Sequence, residues 1–170
     1  MQGPNWLFEK AFDLNDWFVL GCIVLSYSSI YFMPKRLSQS TMLLIFLFSA
    51  TFASILDNSI GGHIFDLYDI MDGPAYTFMD FTLYFLYAPF GYFFVYFYDL
   101  FRVRGLLKIG YIVLWAVFST AFELLCSVVG VFHYKDGYGL HDSFMIYLIV
   151  QSVTMMFYHY ITDRPLGSPS

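Results

Sequence analysis

Charge is what this sequence lacks most. Only 12% of its 170 residues are charged, whereas a soluble globular domain carries about a quarter. Hydrophobic residues make up 59% of the chain and aromatic residues 23%. Because such a chain has too little polar surface to remain in water, the soluble classes of protein are excluded. The sequence therefore predicts an integral membrane protein, with length for one bundle and no second domain.

Cysteines, basic clusters and catalytic motifs are also scarce. The two cysteines, Cys22 and Cys126, lie in separate hydrophobic stretches, which excludes a disulfide framework and a CxxC metal site. The net charge of −5 and the scattered basic residues exclude nucleic acid as a partner. The sequence contains no GxSxG motif, no Walker loop and no mid-span lysine. It therefore gives no indication of a hydrolase, a nucleotide-binding enzyme or a retinal Schiff base. We predict no cofactor.

The sequence does contain hydrophobic segments long enough to cross a bilayer. A spanning helix needs roughly 20 apolar residues, or about 17 at the short end. Five segments meet or approach this length, and the second is short unless it continues beyond Asp57. They are residues 17–33, 41–56, 78–98, 109–132 and 143–162. The predicted fold class is all-α, an integral membrane bundle of about five transmembrane helices.

Basic residues between these segments orient the bundle. Six fall on one side of the predicted membrane, and two, Lys10 and Lys135, fall on the other. The six are Lys35, Arg36, Arg102, Arg104, Lys108 and Arg164. Because basic loops stay in the cytoplasm, we predict the N-terminus outside and the C-terminus in the cytoplasm. Asp57 and most loop aspartates are then expected on the outer side, and Gly61-Gly62 is expected to end the second helix.

The chain divides into three predicted parts. Residues 1–16 form an amphipathic segment on the outer face, residues 17–164 form the single five-helix transmembrane domain, and residues 165–170 form a disordered tail. Residues 62–71 have a similar amphipathic character, so we expect them on the outer face as well.

One carboxylate lies well inside a predicted span. A charged residue near the middle of a bilayer costs at least about 2.5–3.5 kcal/mol, so Glu123 should face the bundle interior and a partner. Two roles fit this position: a site for an ion, a proton or a substrate headgroup, and a strut that fixes the register of the helices. Polar residues of the third and fifth segments reach a similar depth. The candidates for binding or register are Glu123, Asp80, Tyr84, Tyr147 and Gln151.

Histidines and aspartates gather at the predicted outer rim. Imidazole and carboxylate groups are ligands for zinc, manganese or iron. Their spacing matches no signature such as HExxH, and aspartates beside helix starts already serve as caps. We therefore predict no metal site. If a metal does bind, the candidate ligands are His63, Asp66, His133, His141 and Asp142.

The last third of the chain resembles a known family. The stretch FELLCSVVGVFHYKDGYGLHDSFMIYLIVQSVTMMFYHYITDRP is similar to an uncharacterised family of small multi-pass membrane proteins of spore-forming Gram-positive bacteria. In that family a helix bearing Glu leads to an aromatic turn and to a last helix with His and a terminal Pro. The matching positions are Glu123, Tyr134, Gly137, Tyr138, His159 and Pro165. The resemblance implies a bacterial plasma membrane and no particular activity.

Three functions are compatible with the sequence. We first expect a non-enzymatic accessory or assembly role, because the loops are short and no catalytic signature is present. The alternative is a small-solute or ion-binding transport component that uses Glu123, and a water-filled cavity at that residue would favour it. The third is a membrane-embedded enzyme with an outward-facing His/Asp metal site. The expected partners are the lipid bilayer and either another membrane protein or a second copy of the chain.

Overall fold

The computed structural model describes residues 12–61, 64–72, 77–135 and 137–163. This part of the chain contains five helices and one two-stranded sheet. In chain order they are α1 (Leu14–Phe32), α2 (Gln39–Ile60), β1 (Tyr68–Ile70), α3 (Phe78–Leu100), α4 (Leu107–Val128), β2 (Phe132–Tyr134) and α5 (Leu140–Asp163). The predicted tail and most of the predicted segment 1–16 lie outside the described residues.

Four of the described helices, α2 to α5, are long and apolar enough to cross a membrane. The chain is an all-α membrane bundle, as predicted. The remaining helix, α1, has 19 residues, begins with a polar turn that contains Asn15 and Asp16, and is not among the four. The count of five spans therefore remains a prediction that depends on α1.

The ends of α2 place Asp57 inside the helix. The side chain of Ser38 accepts a hydrogen bond from the backbone N–H of Thr41 and so caps the start of α2. The helix then continues beyond Asp57 to Ile60 and is capped by Gly61, which confirms the predicted helix end. Asp57 consequently lies in the last turn of α2.

A tyrosine compensates for the proline inside α3. The helix continues through Pro89, which has no N–H, so the carbonyl of Phe85 loses its helical donor. The hydroxyl of Tyr27 on α1 donates to this carbonyl at 3.1 Å. The contact satisfies the backbone of α3 and helps to hold α1 against the helix on which it mainly packs.

The strands β1 and β2 form a short antiparallel ribbon where α2 and α4 end. The ribbon pairs Tyr68 with Tyr134, Asp69 with His133, and Ile70 with Phe132. Residues 62–71 were expected as an amphipathic segment on the surface; their described part instead includes a strand whose end is held inside the protein. Met71 and Val131 flank the strands, share a 2.9 Å backbone hydrogen bond and are fully buried.

Buried apolar residues form two clusters, one toward each end of the bundle. We call the half that contains the ribbon the ribbon half. We call the other half, in which Arg36 of the α1–α2 loop pairs with Asp99 near the end of α3 at 2.9 Å, the arginine half. The buried cluster of the arginine half is largely aromatic and includes Tyr92, Phe94, Tyr96, Tyr98 and Tyr158.

Candidate functional site

A cavity of about 140 Å³ lies among α2, α3, α4 and α5, beneath the ribbon. Its volume is sufficient for several water molecules or a small organic molecule. The wall combines aromatic rings with hydroxyl, amide and carboxyl groups. The ionisable residues that line it, apart from Cys126, are Asp57, Tyr68, Tyr87, Glu123, Tyr138 and Tyr147.

Glu123 lies on the cavity wall and is 6% exposed. Its Oε1 atom accepts hydrogen bonds from the hydroxyl groups of Tyr134, at 2.6 Å, and Ser143, at 2.5 Å. The hydroxyl of Tyr138 lies 2.9 Å from that of Ser143 and extends the network. Tyr147 of α5 also interacts with the carboxyl group. The carboxylate therefore faces the bundle interior and is held by polar groups from two sides.

A glycine turn brings Tyr134 back to Glu123. The chain leaves α4 through Gly130, whose φ of +85° lies in the left-handed region that favours glycine. The N–H of Val131 then bonds to the carbonyl of Cys126 at 2.8 Å, and β2 runs back across the end of the bundle. This reversal places Tyr134, which follows α4, beside the carboxylate of Glu123, which lies about one and a half turns before the end of that helix.

Asp57 forms a second carboxylate site on the cavity wall. Its two oxygen atoms accept hydrogen bonds from different tyrosines, Oδ1 from Tyr68 at 2.7 Å and Oδ2 from Tyr87 at 2.8 Å. Tyr68 belongs to the ribbon and Tyr87 to α3, so this carboxylate joins three elements of the fold. Sequence reasoning missed this site because the two tyrosines that hold Asp57 come from other elements of the fold.

The register of the ribbon connects the two carboxylates. Tyr68 and Tyr134 are directly opposite each other in the antiparallel pair, where side chains project from the same face of the sheet. Tyr68 donates to Asp57 and Tyr134 donates to Glu123. Burial, followed by the neighbouring carboxylates, raises the pKa of both tyrosines, and burial raises the pKa of Tyr138 to about 12. All three hydroxyl groups consequently remain protonated donors at neutral pH.

The ionisable groups on the cavity wall include acidic side chains and no basic ones among the described residues. Two carboxyl groups line it, and none of the described residues on its wall is a lysine, arginine or histidine. Hydrogen bonds from hydroxyl groups stabilise a carboxylate but do not neutralise its charge. The wall therefore favours a cation over an anion.

The far end of the cavity, toward the arginine half, carries neutral polar groups. The amide Nε2 of Gln151 donates to the hydroxyl of Ser119 at 3.1 Å and links α5 to α4. The Oγ atom of Ser49 is buried without a hydrogen-bond partner and belongs to a residue on the cavity wall. This oxygen packs closely against Gly91 of α3, where a Cβ atom would overlap with it.

Of the five described residues that the sequence suggested for binding or register, three line the cavity and two do not. Glu123, Tyr147 and Gln151 line the cavity together. Asp80 instead forms a capping box with Thr77 at the start of α3, and the hydroxyl of Tyr84 accepts from Asn58 of α2 at 3.1 Å. Neither Asp80 nor Tyr84 is on the described cavity wall.

The candidate metal ligands are spread along the rim. His63 lies outside the described residues. Asp66 pairs with Lys135, the exposed His133 stands opposite Asp69 in the ribbon, and Nε2 of His141 lies 3.1 Å from Asp142. Within the described ranges, no three His, Cys, Asp or Glu side chains converge as metal ligands would.

His159, one of the positions that match the resembled family, belongs to the arginine half. Its Nε2 atom lies 2.9 Å from the hydroxyl of Tyr98 and 3.2 Å from Nζ of Lys108. These contacts join α3, α4 and α5 at the end of the bundle remote from the cavity.

Comparison with protein-family models, curated proteins and solved structures finds no match to this chain. The resemblance of its last third to a family of spore-forming bacteria therefore remains a prediction, and the function is inferred from the cavity.

Proposed function

We propose that this protein is a solute-binding component of a membrane, and that its cavity takes a small organic cation. The observation that carries the proposal is the pair of carboxyl groups, Asp57 and Glu123, on one internal cavity whose described wall has no basic residue. Carboxylates removed from water are costly unless a cation accompanies them. A bound cation supplies that charge.

The apolar part of the wall supports the same ligand class. Phe52, Phe90, Trp115 and Phe122 line the cavity with Tyr87 and Tyr147. Aromatic faces attract ammonium groups, with the strongest effect at tryptophan, and contribute about 0.5–2 kcal/mol per contact. An organic ammonium ion satisfies both the carboxylates and the rings, whereas a bare metal ion satisfies the carboxylates alone.

The cavity also discriminates between the functions left open by the sequence. An accessory or assembly protein needs only a packed bundle, in which Glu123 would serve as a strut. The space beside Glu123 favours a bundle built to bind. The transport alternative therefore replaces the accessory role as the leading function.

Access from the ribbon side is part of the proposal. With the basic loops in the cytoplasm, the ribbon and the cavity roof face outward. Cysteine labelling of intact cells tests this orientation in a protein whose Cys22 and Cys126 are replaced. An impermeant reagent should label H133C and leave R102C unlabelled; the reverse pattern contradicts the orientation.

Equilibrium binding to the purified protein in lipid nanodiscs tests the function. The ligands are methylammonium, ethanolammonium and tetramethylammonium, with acetate and ethanol as the anionic and neutral comparisons. At least one cation should raise the unfolding temperature saturably, since a ligand at about 100 times its Kd stabilises a protein by about 2.7 kcal/mol. Acetate and ethanol should have no such effect.

Carboxyl-to-amide variants complete the test. Glu123→Gln and Asp57→Asn should each weaken cation binding about tenfold or more, because each removes one charge from the cavity wall. Asp99→Asn is the matched control, since Asp99 pairs with Arg36 in the arginine half, remote from the cavity. Absence of cation binding, or equal binding by all three variants, would contradict the proposed function.

A further inference from the structure

A second space lies beside the cavity, between α1 and α4. It is a groove of about 340 Å³ that follows α1 from Cys22 to Met33 and is lined on its other side by aromatic residues of α3 and α4. The described lining residues include no charged side chain. The hydroxyl groups of Ser26 and Ser29 donate to carbonyls of their own helix, at 2.6 and 2.7 Å, so they leave no free donor in the groove. The groove is therefore apolar, as a hydrocarbon chain requires.

Three rings separate the groove from the cavity. Phe90, Trp115 and Phe122 line both spaces. The centroids of the Phe90 and Phe122 rings lie 4.8 Å apart. The partition is thus formed by side chains, and a change of their rotamers is the motion that would connect the two spaces.

The two ends of the cavity are closed in other ways. Toward the ribbon, the hydrogen-bonded tyrosines Tyr68 and Tyr138 form the roof. Toward the arginine half, the bundle is filled by the buried aromatic cluster around Tyr92 and Phe94. The three-ring partition instead leads to the side of the bundle, where a second space is already present.

We propose that the ligand of the cavity is an amphipathic amine that exchanges with the lipid phase. Its ammonium group lies by Asp57 and Glu123, and its alkyl chain passes the three rings and occupies the groove. This inference rests on the proposed function and adds the chemical class of the ligand and its route. The stretch of α1 from Cys22 to Met33 rises roughly 16 Å, which suits one alkyl chain of medium length.

Two ammonium ligands that have the same charge and alkyl chains of different length test the inference. Dodecylammonium and propylammonium carry the same headgroup, and only the longer one reaches the groove. Ser26→Phe fills the groove while leaving the carboxylates untouched. Ser28→Phe is the matched control, because Ser28 is exposed on the same helix and does not line the groove. Both ligands are titrated into each variant in lipid nanodiscs, and binding is measured at equal concentrations in the lipid phase.

Ser26→Phe should weaken dodecylammonium binding about tenfold and leave propylammonium binding within about twofold, whereas Ser28→Phe should change neither. A dodecylammonium brominated in mid-chain should also quench Trp115 saturably in a protein whose Trp6 and Trp17 are replaced by Phe, and Glu123→Gln should weaken that quenching. If both ammonium ions bind in a carboxylate-dependent manner but Ser26→Phe affects neither, the lateral route is wrong and the cation site stands. If neither ion binds, the proposed function fails as well.

Discussion

The two halves of the bundle use the same kind of residue in different ways. In the ribbon half, the hydroxyl groups of Tyr68, Tyr87 and Tyr134 donate to carboxylates around an open space. In the arginine half, Tyr96 and Tyr111 donate to the backbone carbonyls of Pro34 and Phe94, and the hydroxyl of Tyr98 lies beside Nε2 of His159. The aromatic residues of that half are otherwise packed against one another.

This difference supports the proposed location of the function in the ribbon half. A tyrosine that donates to a carbonyl holds helices together, and the chain around it can be completely packed. A tyrosine that donates to a carboxyl group at a cavity holds that group beside an open space. High aromatic content therefore indicates neither packing nor binding by itself; the acceptors of the hydroxyl groups decide.

The largest expected effect comes from truncating a ring in the packed half. Phe94 is 1% exposed and lies against Tyr111 and Trp115. Phe94→Ala should lower the free energy of unfolding by about 3–5 kcal/mol, because it creates a new cavity. Phe52→Ala, on the wall of the existing cavity, should cost about half of that or less. Unfolding in mild detergent measures both, and equal losses would remove the contrast between the halves.

Replacement of Glu123 should have an intermediate effect. Glu123→Leu leaves the hydroxyl groups of Tyr134 and Ser143 without their acceptor and should destabilise the protein by about 1–3 kcal/mol. Glu123→Gln retains shape and an acceptor oxygen and should be nearly neutral for stability, although it weakens cation binding. The same unfolding assay applies, and equal stability of the three proteins would show that the network does not contribute to the fold.

The smallest effect is expected at Tyr27, where a hydroxyl serves only the backbone. Tyr27→Phe removes the donor to the Phe85 carbonyl that Pro89 leaves unpaired, and should cost about 1 kcal/mol. Tyr31→Phe on the same helix is the control, since Tyr31 is 81% exposed. Tyr27→Phe should leave cation binding unchanged. A loss of binding without a loss of stability would place Tyr27 in the site instead.

The sequence predicted the membrane bundle and the interior position of Glu123 for the same reason. The length of an apolar segment and the free-energy cost of a carboxylate in the bilayer are properties of each helix by itself. Both can therefore be evaluated without a tertiary structure. The partners of Glu123 were harder to predict. Tyr147 was a candidate, but Tyr134 and Ser143 depend on where the chain turns after α4.

The ribbon and Asp57 could not be derived by the same means. Each strand has three residues, which is too short for an alternating pattern to stand out in a hydrophobic sequence. The end of α2 was predicted at Gly61-Gly62, but the contacts of Asp57 were not, because Tyr68 and Tyr87 come from β1 and α3.

The charge selectivity of the cavity tests the central claim most directly, and Cys126 provides a native probe. Cys126 lines the cavity three residues after Glu123, on the same face of α4. In a Cys22→Ala protein, the small cationic reagent aminoethyl methanethiosulfonate and its anionic sulfonatoethyl analogue are compared, each rate being divided by that reagent's rate with free cysteine. The account predicts that the cationic reagent modifies Cys126 about tenfold faster or more, and that Asp57→Asn with Glu123→Gln abolishes this preference. Equal corrected rates for the two reagents, or a preference for the cationic reagent that persists in the double variant, would contradict a cation-binding cavity.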